Sequence, residues 1–165
     1  MDLVKTISYN SYGWTDAKIQ YSNNLLSIFD ADIFLVQEHL HLRPNAYKLE
    51  NSIPGYSASI VPAWKNDSYI SSGRPSGGIA VFWKNSLNKF IKVKLHPTSL
   101  RVQGIELFSK FLILNIYMPV DPQVNNFDDF ILQGCIEDIK WYIDSHPNHT
   151  ILLGGDYNTD LSPDM

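Results

Sequence analysis

Ile151-Leu152-Leu153-Gly154-Gly155-Asp156-Tyr157-Asn158 is a short apolar run that breaks at two glycines and ends in a carboxylate and an amide. Three earlier runs end alike: Ile7-Ser8-Tyr9-Asn10, Ile33-Phe34-Leu35-Val36-Gln37-Glu38, and the run from Phe111 that carries Asn115 and Tyr117 before Pro119. A run such as 33–36, apolar without alternation, reads as a strand covered on both faces. In open α/β sheets the ligand site lies outside the carboxyl ends of the strands. Four strands that end in amides, a phenol and carboxylates would gather an oxygen-rich cup there, which hard cations such as Mg²⁺ choose. Side chains alternate along a strand, so Asn115 and Tyr117 share a face, as do Asp156 and Asn158 if the strand runs that far.

Outward from these ends, the spacing predicts strands at 3–9, 33–36, 56–61, 79–83, 90–95, 100–108, 111–118 and 151–153, the last of them buried. A helix starting at Thr15 or Asp16 would bury Ile19, Leu25, Leu26 and Phe29 on one face. A second, over 127–144, would bury Phe127, Ile131, Cys135, Ile139 and Tyr142 and stop before Pro147. Strands and helices in this order indicate a mixed α/β domain. The 165 residues fit one domain, residues 1–165. Hydrophobic residues at 44% exclude a disordered chain, and no apolar run nears the roughly 20 residues that cross a bilayer. The single Cys135 cannot form an internal disulfide, and Met1-Asp2-Leu3-Val4-Lys5 is not a secretory start, so an intracellular protein is expected. In that setting the triplets Asn66-Asp67-Ser68 and Asn148-His149-Thr150 read as chance matches to a glycosylation signal. With 13 Lys and Arg against 17 Asp and Glu the net charge is −4, which lacks the basic footprint of a nucleic-acid binder.

Several motifs fail on their own terms. Glu38-His39-Leu40-His41 lacks the i, i+4 histidine pair of a helical zinc site. Asp156-Tyr157-Asn158-Thr159-Asp160 opens like a calcium loop, but Leu161 stands where that loop needs glycine. Gly73-Arg74-Pro75-Ser76-Gly77-Gly78 has no Gly-Lys-Ser/Thr ending and no helix after it, so it is no nucleotide P-loop. Arg74 reads equally as a phosphate contact or as a surface arginine.

Taken in order, Ile7-Ser8-Tyr9-Asn10, Leu35-Val36-Gln37-Glu38, Asn115-Ile116-Tyr117-Met118-Pro119 and Leu153-Gly154-Gly155-Asp156-Tyr157-Asn158 resemble the signatures of the endonuclease/exonuclease/phosphatase superfamily, with Tyr157 where the family has Phe. The glycine-rich 73–81 looks most like the endonuclease of non-LTR retrotransposons. The resemblance implies a two-sheet α/β sandwich with the family's C-terminal strands missing from this sequence. It implies Mg²⁺ (or Mn²⁺) as cofactor, with Glu38 as main metal ligand and Asn10 beside it. Asp156 would orient and deprotonate the attacking water, Asn158 would position it, and Tyr117, supported by Asn115, would hydrogen-bond the phosphate. DNA is the implied substrate, a downstream reverse transcriptase the implied neighbour, and the nucleus a possible location. Val120 stands where many DNA-cleaving members carry Asn, and the family's later Asp and Asp-His pair are not in this sequence. Two other readings stay open: an inactive, truncated retroelement remnant, and a family phosphatase or phosphodiesterase acting on lipid, inositol phosphate or RNA.

Overall fold

A computed structural model describes residues 3–65, 75–119 and 128–158. The elements run β1 (Thr6–Asn10), α1 (Asp16–Phe29), β2 (Ile33–Gln37), α2 (Arg43–Glu50), β3 (Tyr56–Val61), β4 (Ile79–Lys84), β5 (Ile91–Lys94), β6 (Val102–Leu107), β7 (Phe111–Tyr117), α3 (Asp128–Ser145) and β8 (Thr150–Asp156). A 3-10 turn, Asn85–Phe90, joins β4 to β5. The strands form two four-stranded sheets, ordered β1-β2-β4-β3 and β5-β6-β7-β8. In each sheet one edge pair is parallel, β1 with β2 and β7 with β8, and the other pairs are antiparallel.

Alternation along β2 explains its unbroken apolar run. Ile33 and Leu35, with Val81 and Trp83 of their own sheet, face the second sheet and pack with its Ile105, Leu107 and Ile113. Phe34 and Val36 face the other way, into a core with Trp14, Leu26, Leu49 and Phe82 beneath α1 and α2. A third core joins Val102, Leu112, Leu114 and Ile116 to Tyr142 of α3, with Ile139 against it. The result is the expected two-sheet α/β sandwich, with helices on both outer faces.

Where the sequence and the fold part, local physics accounts for it. Thr15 is the N-cap of α1, its hydroxyl accepting from the Lys18 amide. Leu26 is buried and Ile19 and Leu25 half-buried, but Phe29 sits in the last turn before the left-handed cap Asp30 and is exposed. The first strand begins at Thr6, leaving Leu3 exposed. Helix α2 carries few of the usual signals: Leu42 supplies no side-chain cap, and Pro44 is tolerated because it lies in the first turn. In α3, Cys135 and Tyr142 are buried while Ile131 and Ile139 are half-buried; Phe127, Val120 and Asn66-Asp67-Ser68 lie outside the described residues. The larger correction concerns β8, expected to be buried. Among the described residues it lies at the edge of its sheet, and Leu152 and Leu153 are each 45% exposed.

Candidate active site

Parallel pairing in each sheet brings matched strand ends together. Asn10 is in register with Gln37, one residue before Glu38, and Tyr117 is in register with Asp156. The two sheets present these ends to one another. Asn10 Nδ2 donates to Glu38 Oε1 at 3.2 Å and to Asp156 Oδ2 at 2.6 Å, so one amide touches a carboxylate from each sheet. The Tyr117 hydroxyl donates to the same Glu38 Oε1 at 2.8 Å. Glu38 has φ 55°, a left-handed conformation that turns the chain sharply off the end of β2. The loop after β1 follows that turn, with Ser11 N donating to Gln37 O and Gly13 N to Glu38 O at 2.7 Å.

Asn158 comes in by its backbone. Its N–H donates to Asp156 Oδ1 at 2.9 Å, while its side-chain amide donates to the Met118 carbonyl at 2.7 Å. The strand ends at Asp156, and Asn158 lies beyond it at φ 46°. Asn115 lies behind the cleft and is fully buried. Its Nδ2 donates to Val36 O and Ala80 O, both at 3.0 Å, and its Oδ1 accepts from Gln37 Nε2 at 2.6 Å. Gln37 in turn reaches Ser8 Oγ at 3.2 Å. This polar seam crosses between the sheets where the apolar interface gives out. Arg74 lies outside the described residues. The structure thus brings Asn10, Glu38, Tyr117 and Asp156 into direct contact, with Asn158 adjoining and Asn115 one layer back.

Burial, then the hydrogen bond and charge of Glu38, raise the Tyr117 phenol well above its ordinary value. It therefore stays protonated at any working pH and acts as a donor. His39 is not available as a ligand. Its Nδ1 accepts from the His41 amide, so Nε2 carries the proton and donates to Val61 O at 3.1 Å. Burial holds this histidine down to about 4. Among the described residues no group of three or more His, Cys, Asp or Glu could hold a metal ion. What the cleft offers is two carboxylates and amides. That donor set suits a hard divalent cation that completes its shell with water and substrate phosphate.

A pocket of about 190 Å³ opens beside these groups, with Glu38 and Tyr117 in its wall and Tyr12, Leu40 and Pro75 around them. Ser76 and Gly77 close it. The glycine pair has a steric reason: Gly77 and Gly78 both have positive φ, and a Cβ on them would meet the rings of Trp64 and His39 at 2.1 and 2.5 Å. Sequence reasoning missed Arg101. Its guanidinium lies 4.7 Å from the Trp64 ring and 5.0 Å from the Tyr117 ring, and donates to the Tyr117 carbonyl. An arginine just before a strand, in an acidic chain with few arginines, was the available signal.

Residues 7–164 match the Endonuclease/Exonuclease/phosphatase family. The chain belongs to that family. Solved structures of similar fold include the 3′ phosphatase NExo from Neisseria bound to product DNA hairpin, at TM-score 0.66 and 17% identity, covering 94% of this chain and 58% of that one. An AP endonuclease from Archaeoglobus fulgidus gives TM-score 0.66 at 15% identity, covering 98% and 60%. The human Nocturnin catalytic domain with bound sulfate anion gives 0.60 at 13%, covering 98% and 66%. The chain therefore spans about three-fifths of the length of these structures. No match to a curated protein was found.

Proposed function

We propose that this chain carries the phosphodiester-hydrolysing site of a retroelement-type DNA endonuclease, working by in-line attack of water on phosphate. The observation that carries the reading is the Asn10 amide, held between Glu38 and Asp156 at 3.2 and 2.6 Å. Glu38, with Asn10 beside it, would hold Mg²⁺ or Mn²⁺, whose chemistry is to neutralise charge building on the phosphate. Asp156 accepts the proton of the attacking water, and the Asn158 N–H that it receives keeps its carboxylate oriented. Tyr117, locked in its protonated form, donates to the phosphate or to Glu38 without adding charge that would repel the nucleophile. Arg101, stacked on the Tyr117 ring, puts a cation near the phosphate path. The fold relatives that act on DNA by their descriptions favour a DNA substrate. The resemblance of 73–81 to retrotransposon endonucleases favours the retroelement assignment.

The test is nicking of supercoiled plasmid in Mg²⁺. Activity is expected to vanish in EDTA and in Glu38→Ala, because neither chelation nor loss of the main carboxylate leaves a bound metal. Nicking that is undiminished in EDTA refutes the mechanism. The retroelement assignment has its own check, a reverse-transcriptase motif in frame beyond residue 165; hydrolytic activity beside an unrelated reading frame would keep the chemistry and remove the origin.

A further inference from the structure

An arginine side chain has many rotamers, so its charge serves a site only where something fixes it. Arg101 stands just before β6 and is half-buried. It takes part in none of the ion pairs among the described residues. Its main chain is tied to Tyr117, whose N–H donates to Arg101 O at 2.8 Å. Its side chain returns to the same residue, with Nη1 donating to Tyr117 O at 3.4 Å. A guanidinium has five N–H donors, and among the described residues this is the one hydrogen bond that the side chain makes. Two rings hold the rest of the group. The guanidinium carbon lies 4.7 Å from the Trp64 ring centroid and 5.0 Å from that of Tyr117. Both distances fall within the roughly 6 Å of a cation–π contact.

Of these two rings, Tyr117 has its own place in the site, since its hydroxyl donates to Glu38. Trp64 joins the same chain of contacts only through Arg101, and its ring is built in. Its main chain pairs with Ser76 in both directions, N–H to O at 3.1 and 2.9 Å. The neighbouring Ala63 N–H donates to His41 O at 2.9 Å. The ring itself lies against Gly77, where a Cβ would come within 2.1 Å of it. Arg101 also lines a cavity of about 400 Å³ toward α3, with Trp64, Leu100 and Asp138 in its wall. Without the Trp64 ring, the arginine would be free to turn into that space, where the Asp138 carboxylate competes for its charge.

Resting on the hydrolase reading above, we propose that Trp64 is a positioning residue, holding the Arg101 guanidinium against Tyr117, where it meets a phosphate of the bound DNA. Trp64 acts through Arg101 alone. Its effect is made equally in the ground state and the transition state, so its loss raises KM and leaves kcat. The ring face is what matters, so Phe serves in its place and an aliphatic side chain does not.

The probe is a short labelled DNA duplex. Its Kd is measured by fluorescence anisotropy in EDTA over a series of salt concentrations, and KM and kcat for its hydrolysis are measured separately in Mg²⁺. Losing one phosphate contact lowers the slope of log K against log salt by about 0.9, so between about 50 and 200 mM salt a variant's Kd rises about 3- to 4-fold less than the parent's. Arg101→Gln and Trp64→Leu should each show that loss, and Trp64→Phe should not. Trp64→Leu combined with Arg101→Gln should lose no more than either alone. Leucine keeps bulk against Gly77; should circular dichroism find that variant unfolded, Trp64→Met replaces it, being the more adaptable filler. A parent-like slope in Trp64→Leu or in Arg101→Gln overturns the proposal, and so does a Trp64→Phe as impaired as Trp64→Leu. A further loss in the double variant also overturns it, since Trp64 would then act without Arg101, as does a kcat that falls at constant KM. The expected slopes without hydrolysis by the parent keep the Trp64–Arg101 pairing and sink the hydrolase reading. Hydrolysis by the parent with unmoved slopes does the reverse.

Discussion

Asn115→Ala separates a structural role from a chemical one. Asn115 donates to Val36 O and Ala80 O, which are register partners on β2 and β4, and accepts from Gln37 Nε2. It thus fastens β7 to two strands of the opposite sheet at a single rung. Truncation removes three buried hydrogen bonds, each contributing about 1 kcal/mol net, and leaves the Gln37 amide with a poorer set of partners. The expected loss is about 3–4 kcal/mol, a large part of a total stability of about 5–15 kcal/mol. For a domain of this size that lowers the melting temperature by on the order of 10 °C. Asn115→Asp should be worse, since a carboxylate would face two carbonyl oxygens inside the protein with no donor between them. The assay is thermal unfolding by circular dichroism, with plasmid nicking measured well below the transition. If Asn115→Ala melts within about 2 °C of the parent, the seam carries no stability and the reasoning fails. If it also loses nicking while melting normally, Asn115 belongs to the chemistry itself.

Two further predictions follow from the backbone and from titration. Gly155→Ala should destabilise by at least about 3 kcal/mol in denaturant unfolding, because φ is 143° and the new Cβ would lie 1.9 Å from Ile116 O; Gly134→Ala in α3, where nothing lies within 4 Å, should stabilise slightly. His39 is held down to about 4 by burial, so the unfolded chain takes a proton near pH 6.5 that the folded one refuses. Stability should be full above pH 6.5 and decline as pH falls towards 4, and His39→Gln should flatten that slope in urea titrations run across the window.

The parts of the fold written most plainly were those set by periodicity. β2 reads as buried because Ile33 and Leu35 meet one core and Phe34 and Val36 another. Residues around α2 escaped notice because that helix uses Pro44 and no side-chain cap. Leu152 and Leu153 misled because apolar composition signals a strand but not whether a neighbour covers it. In the site, strand ends were legible because polar residues there break an apolar pattern. The layering of Asn115 behind Tyr117 was not, since alternation assigns both to one face and says nothing of depth. Tyr12, Trp64 and Arg101 were invisible for a different reason: they meet the cleft through loop conformation and ring stacking, which have no period.

The Asn10 amide joins a carboxylate of one sheet to a carboxylate of the other. The gap between the two acids is therefore a dimension of the stacked sheets, fixed by no single loop. Small slippage between the layers alters that gap directly, while every ladder within a sheet stays intact. Misalignment of about 1 Å can cost on the order of a hundredfold in rate, far below what unfolding requires. Warming should accordingly silence this site before it melts the protein, with the Asn115 contacts and the Gln103-to-Ser59 bond at 2.7 Å serving as the gauge blocks that hold its calibration.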